Sequence, residues 1–144
     1  MNPIGREKMP LQIERKQPAG LNVRMQQGKA AYSHVVTVNG PGKTVYIAGQ
    51  LGRDADGNIV PGGMRAQMEQ TFKNIEACLN AAGASWADVV KTNTFVTDYA
   101  EFSKNSDVRM RYIGIAGPTS TTIQISGLAQ PGAMVEIEAI AVIA

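Results

Sequence analysis

Cysteine and histidine are nearly absent from this sequence. Cys78 is its only cysteine and His34 its only histidine. A single thiol cannot form a disulfide within the chain, and these two side chains are too few for a zinc site, which usually takes four ligands. The sequence therefore predicts no structural disulfide and no metal, and nothing in its composition indicates another cofactor.

Long apolar runs are missing as well. Apolar residues make up 44% of the 144 residues, but no run approaches the roughly 20 residues that cross a bilayer. The N-terminal stretch MNPIGREKMPLQIERK interrupts its apolar residues with charges and prolines, unlike a secretion signal. We expect one soluble, cytoplasmic domain with no membrane partner.

Basic charge is concentrated near the N-terminus. Residues 1–29 hold six of the Lys and Arg residues against two glutamates, and the remainder is slightly acidic. No aromatic residue lies among these cations, whereas proteins that bind single-stranded nucleic acid usually stack bases on aromatic rings. The pattern favours a solvated arm over residues 1–20 and a folded domain over residues 21–144, and it does not favour a nucleic-acid partner.

Strand and helix patterns alternate along the domain. The runs SHVVTV and TVYIAG flank NGPGK and predict an antiparallel hairpin, and LQIER predicts a further short strand. Between Met68 and Ala82, apolar residues recur at helical spacing until Gly83. The run DVVKTNTFVTD predicts a strand, and Asp98 with Glu101 resembles a capping box for a second helix that ends near Tyr112. TSTTIQIS and MVEIEAIAVI predict two final strands.

This order predicts an α+β fold with one sheet and two helices packed on one face. In the last strand Val135, Ile137 and Ala139 share one face, but Ile140 and Val142 make part of the other face apolar too. Two helices cover only one side of a sheet. We therefore expect the opposite face to pack against neighbouring subunits.

Glu136 and Glu138 are the first candidates for chemistry, because both lie on one face of the last strand. Carboxylates there are either solvated or partly buried for general acid or base use, and the residues alone leave both interpretations open. His34 shares a strand face with Val36 and Val38, which favours a histidine at the core edge over a catalytic base. Cys78 lies beside the apolar stripe of the first helix and is interpreted as packing.

Four segments carry a family resemblance. In this order, the sequence resembles the RidA/YjgF family of imine and enamine deaminases in AAYSHVV, VYIAGQLGRDADGNIV, QTFKNIEACLNAAGASWADVVKTNTFVTD and VEIEAIAV. The resemblance extends from about Leu21 to Val142. It implies a chorismate-mutase-like fold with a mixed sheet, and three subunits that close into a barrel with pockets between neighbours.

The resemblance also implies a set of site residues. Tyr32 corresponds to the family's pocket tyrosine, Gly49 to the glycine after its second core strand, and Glu136 to its water-handling glutamate. Ser106 corresponds to an asparagine of the second helix, with Asn105 as the adjacent alternative. Thr119 stands where relatives carry an arginine that binds the substrate carboxylate, and Thr121 stands where they carry a cysteine.

The implied activity is the hydrolysis of a small imine or enamine to a carbonyl compound and ammonia. Replacement of the arginine by Thr119 predicts an altered substrate preference, with Arg109 and Arg111 as the nearest other cations. A trimer that binds a small ligand without turnover is a second hypothesis. An RNA-binding or endoribonuclease role is a third, supported only by the basic arm.

Overall fold

A computed structural model describes residues 9–144 of the chain, so Arg6 and Lys8 of the predicted arm lie outside it. Eight strands, three α-helices and one 3-10 turn make up this part of the chain. They are β1 (Gln12–Lys16), β2 (Met25–Gln26), β3 (Lys29–Ala30), β4 (Val35–Asn39), β5 (Lys43–Leu51), α1 (Gly63–Ala81), the 3-10 turn (Trp86–Asp88), β6 (Val89–Val96), α2 (Tyr99–Lys104), α3 (Ser106–Ala116), β7 (Thr119–Gln124) and β8 (Val135–Ile143).

The main sheet is mixed and has the strand order β5-β8-β6-β7. Strand β8 runs antiparallel to both β5 and β6, whereas β6 and β7 are parallel. The α+β class with a mixed sheet is confirmed. None of the described helices is long and apolar enough to cross a membrane.

The predicted pairing of β4 with β5 is wrong. Strand β4 pairs with β1, the short strand expected near LQIER, and β5 pairs with β8. The turn at Gly40 is tight, with φ 90°, and a Cβ there would lie 2.6 Å from the carbonyl oxygen of Pro10. The segment before β1 therefore packs against this turn. A turn signal shows where the chain changes direction, but not which strands then pair.

Helix α1 follows from its apolar spacing. Met68, Phe72, Ile75 and Leu79 are fully buried, and the helix packs on β5 and β8. The chain leaves it through Gly83, whose φ of 75° is left-handed. The helix predicted between Met68 and Gly83 is confirmed and begins earlier, at Gly63.

The second predicted helix is two helices. Asp98 caps the first, since its Oδ1 accepts a hydrogen bond of 3.1 Å from the backbone N–H of Glu101. The Glu101 side chain pairs instead with Lys104. Asn105 separates α2 from α3, and its Nδ2 donates to the carbonyl of Glu101 at 2.8 Å. Side chains of this type compete with the helical hydrogen bonds, so the domain carries three helices rather than two.

The two faces of the sheet differ in their surroundings. Val135, Ile137, Ala139 and Ala141 are buried in the core with the apolar residues of α1 and α3. The other side, called the open face below, remains accessible in the single chain, and Tyr46 there is 77% exposed. The open face comprises Tyr46, Lys91, Asn93, Phe95, Thr119, Thr121, Ile123, Glu136, Glu138 and Ile140, which are joined by cross-strand register.

Candidate active site

Glu136 and Gly49 are in contact in the folded chain. Gly49 lies in β5 at a bulge between Ile47 and Gln50, and Glu136 lies near the start of β8. A Cβ added to Gly49 would overlap Oε1 of Glu136 and would lie 2.9 Å from its Cδ. Only a glycine leaves room for the carboxylate in this position, so the structure brings these two predicted site residues together.

The two glutamates of β8 have different partners. Oε1 of Glu138 accepts a hydrogen bond of 3.0 Å from Nδ2 of Asn93, the residue directly opposite on β6. Within residues 9–144, the carboxylate of Glu136 takes part in none of the ion pairs and none of the side-chain hydrogen bonds. Both glutamates are half-buried, but only Glu136 is uncommitted, so it is the better candidate to handle a water molecule.

Tyr32, Thr119 and Thr121 line a second location, a cavity of about 310 Å³ that also contains Lys91 and Ser120. We call it the Tyr32 cavity. Oγ1 of Thr119 donates a hydrogen bond of 3.1 Å to the carbonyl of Val90, whereas Thr121 is exposed. The cavity is polar and has a cation at its side, which suits a small polar ligand.

His34 borders the Tyr32 cavity but is held by the backbone. Its Nε2 lies 2.9 Å from the carbonyl oxygen of Asn22, and its ring meets that of Tyr32 edge to face at 5.3 Å. The half-buried ring has a local partner, which agrees with the interpretation of a histidine at the core edge.

Ser106 lies outside the Tyr32 cavity. Its Oγ accepts a hydrogen bond of 3.1 Å from Nε2 of Gln27, in the turn between β2 and β3. Neighbouring Asn105 is bound to the carbonyl of Glu101, and its Oδ1 accepts from Nη1 of Arg65 at 3.2 Å. The asparagine therefore holds helices together, and Ser106 faces the β2–β3 hairpin.

Apart from Ser106, the predicted residues thus form two separate groups in one chain. Glu136 lies opposite Phe95 on β6, which lies opposite Ile123 on β7. With strands about 5 Å apart, the Glu136 backbone is roughly 10 Å from that of Ile123 and farther from Thr119. Within a single chain, the carboxylate of Glu136 and the hydroxyls of β7 do not converge.

Arg109 is a residue that the sequence named only as a neighbouring cation. Its side chain is 5% exposed and lines a small cavity of about 70 Å³ with Tyr32, Ser120 and Thr122. Burial lowers the pKa of Arg109 to about 10. We call this small cavity, lined by Arg109, Tyr32, Ser120 and Thr122, the Arg109 cavity. The helical spacing of Arg109, Ile113 and Ala116 in α3 was the available signal, because it sets a charge within a buried stripe.

A second arginine lies beside that cavity. Nη1 of Arg24 donates a hydrogen bond of 2.6 Å to the hydroxyl of Tyr99, and its guanidinium lies 5.8 Å from the centre of that ring. Arg24 is exposed, whereas Arg109 is buried. Two cations, Arg24 and Arg109, therefore border the Arg109 cavity. The position on β7 where the resemblance implies an arginine in relatives is Thr119 in this chain.

The fold and these groups define a small α+β domain with a mixed sheet, one open sheet face and polar cavities at β7. The model of the family described as Endoribonuclease L-PSP matches residues 24–143. The chain belongs to this family, the RidA/YjgF family.

Named relatives and solved structures agree with this assignment. A Bos taurus protein named 2-iminobutanoate/2-iminopropanoate deaminase is 41% identical over 112 residues, which cover 77% of this chain and 79% of that protein. The structure of a Yersinia pestis protein of the conserved Rid family has a TM-score of 0.69 at 34% identity and covers 77% of this chain and 86% of its own. RidA from an Antarctic Psychrobacter has a TM-score of 0.65 at 36% identity, over 84% of this chain and 98% of its own.

Proposed function

We propose that the protein hydrolyses a small imine or enamine to a carbonyl compound and ammonia. Relatives that are 41% and 34% identical carry the name 2-iminobutanoate/2-iminopropanoate deaminase. The observation that carries the proposal is the uncommitted carboxylate of Glu136, held directly over Gly49.

Glu136 acts on water in this reaction. An enamine first takes a proton on carbon and becomes the imine. Glu136 then accepts a proton from water as the oxygen bonds to the C=N carbon, and it returns that proton to the nitrogen. The hydroxyl of the resulting carbinolamine then gives up its proton, which also passes to the nitrogen, and the C–N bond breaks while C=O forms, so imine and water give the carbonyl compound and ammonia.

We further propose a homotrimer in which the two groups of site residues meet between subunits. The resemblance implies pockets of this kind, and the separation of Glu136 from Tyr32 and Thr121 in one chain supports them. The open face supplies a surface for assembly, since Tyr46 and Ile140 border a depression of about 420 Å³. The cytoplasmic location and the arm over residues 1–20 remain predictions from the sequence.

We propose that the substrate preference of this protein differs from that of relatives that carry an arginine at the position of Thr119. A hydrogen bond to a charged group contributes about 1.5–3 kcal/mol, and a neutral one about 1 kcal/mol. Thr119 therefore binds a carboxylate roughly tenfold less well than an arginine at the same place. An anionic group of the substrate needs a cation from another element.

Ammonia release separates this function from a trimer that only binds its ligand. Freshly generated 2-aminoacrylate and neutral imines are supplied to the full chain, and ammonia is measured against spontaneous hydrolysis. Release faster than the spontaneous rate for at least one imine is expected. Binding of a carbonyl product without any faster release would instead favour the ligand-binding alternative.

A further inference from the structure

Arg109 is a buried cation whose bonds all go to uncharged groups. Nη1 donates to Oε1 of Gln26 at 2.9 Å and to the carbonyl of Ala31 at 2.8 Å. Nη1 also lies 3.3 Å from Sδ of Met110, and Nη2 donates to Oγ of Ser120 at 3.3 Å. These contacts hold the guanidinium in place without neutralising its charge.

The ion pairs formed within residues 9–144 include neither Arg109 nor Arg24. Burial has the largest effect on the pKa of Arg109 and lowers it; of the two smaller effects, Tyr99 raises this pKa and nearby Arg24 lowers it. A buried charge without a counter-ion is costly, and one beside a second cation is costlier still. With a pKa of about 10, Arg109 nevertheless remains charged at neutral pH.

The guanidinium of Arg109 lies next to the candidate site. The Arg109 cavity and the Tyr32 cavity share two lining residues, Tyr32 and Ser120. Ser120 Oγ also accepts a hydrogen bond of 3.0 Å from Thr92 and is thereby fixed between the two spaces.

We propose that Arg109 binds the carboxylate of an anionic imine substrate, from α3 rather than from β7. This inference rests on the proposed deaminase function and adds a specificity-determining residue to that site. Nη1 is already engaged by Ala31 and Gln26, so Nη2, assisted by Ser120, offers the contact. The substrate carboxylate is thus bound on the side of β7 opposite to the Thr119 side chain.

Pyruvate and pyruvamide test this assignment, because they have nearly the same shape and differ in charge. Binding of each to the full chain is measured by calorimetry for the wild type, Arg109→Met and Arg109→Lys. The wild type is expected to bind pyruvate at least about tenfold more tightly than pyruvamide. Arg109→Met should abolish this preference, and Arg109→Lys should keep part of it. Arg111→Met is the matched control, since Arg111 is an exposed cation on the same helix, and it should keep the preference.

A structural role for Arg109 would lower stability but would not move the ratio of the two affinities. Equal binding of both compounds by the wild type, or an unchanged preference in Arg109→Met, would overturn the proposal.

Should Arg109→Met fail to fold, the wild type labelled with ¹⁵N-arginine replaces it. The Nε signal that Arg109→Lys removes must then shift with pyruvate and not with pyruvamide, and an unmoved signal would overturn the proposal. A pyruvate preference without ammonia release would refute the deaminase function and leave the anion site standing.

Discussion

The carboxylate of Glu136 occupies the space that a side chain at Gly49 would need. Its Cγ and Cδ lie 3.0 and 2.9 Å from the position of a Cβ on that glycine. The two residues come from neighbouring strands, β5 and β8, and the bulge in β5 lies at this point. The backbone of one strand therefore sets the position of the carboxylate on the other.

Gly49→Ala should reduce deaminase activity while leaving the fold intact. The obstructing atoms belong to the end of a flexible side chain, so Glu136 rotates away and the strands stay paired. A displaced catalytic group can cost roughly a hundredfold in rate. The measurement is kcat for ammonia release, with thermal unfolding as the check on stability.

Gly127→Ala is the control for that substitution, because a Cβ there meets nothing within 4 Å. It should match the wild type in both measurements. Full activity of Gly49→Ala would show that the reaction does not depend on the position of the Glu136 carboxylate.

Assembly should depend on the open face of the sheet. Tyr46→Glu adds a charge to a residue that is 77% exposed in the single chain, next to Ile140 on β8. Light scattering should report a trimer for the wild type and a smaller species for this variant. Ile115→Glu alters an apolar residue of α3 that is 58% exposed, and the trimer should persist. A monomeric wild type at micromolar concentration would refute the inter-subunit site.

The contact between α1 and α3 should make stability depend on pH. Arg65 forms two hydrogen bonds with the carboxylate of Asp107, at 3.0 and 2.8 Å, and these lower the pKa of Asp107. A lowered pKa means that the pair stabilises the folded chain above the ordinary pKa of an aspartate. This contribution is lost as the pH falls through the lowered value.

Asp107→Asn should therefore lower Tm slightly at neutral pH, since both side chains of the pair are largely exposed. Its Tm should approach that of the wild type in acid, once Asp107 of the wild type is protonated. A difference that stayed constant down to acid pH would assign the effect to helix capping or packing rather than to the ion pair.

The sequence predicts the elements better than their partners. Spacing alone identifies α1, because Met68, Phe72, Ile75 and Leu79 repeat with the helical period. In the structure each of these side chains is fully buried. The same local reasoning assigns β4 to β5, yet β1 is the partner of β4. Pairing depends on which edges lie free in the whole fold, and a turn sequence carries no such information.

The candidate site shows the same limit, because the sequence predicts single residues better than the contacts between them. The strand pattern predicts Glu136 as a candidate and the family resemblance adds Gly49, but only the bulge in β5 explains their contact. The sequence indicates Arg109 only as a nearby cation, and a charged residue of an amphipathic helix usually points to solvent. Its burial follows from the β2–β3 hairpin, which supplies Gln26 as a hydrogen-bond acceptor.

The most direct test of the account is ammonia release from 2-aminoacrylate by Glu136→Gln. The substitution keeps the size of the side chain and removes the base, so the variant should form the same oligomer as the wild type and lose nearly all of its rate above spontaneous hydrolysis. Glu138→Gln is the matched comparison and should keep most of the activity, because that carboxylate is engaged by Asn93. Full activity in Glu136→Gln with loss in Glu138→Gln would contradict the account and move the chemistry to the other glutamate of β8.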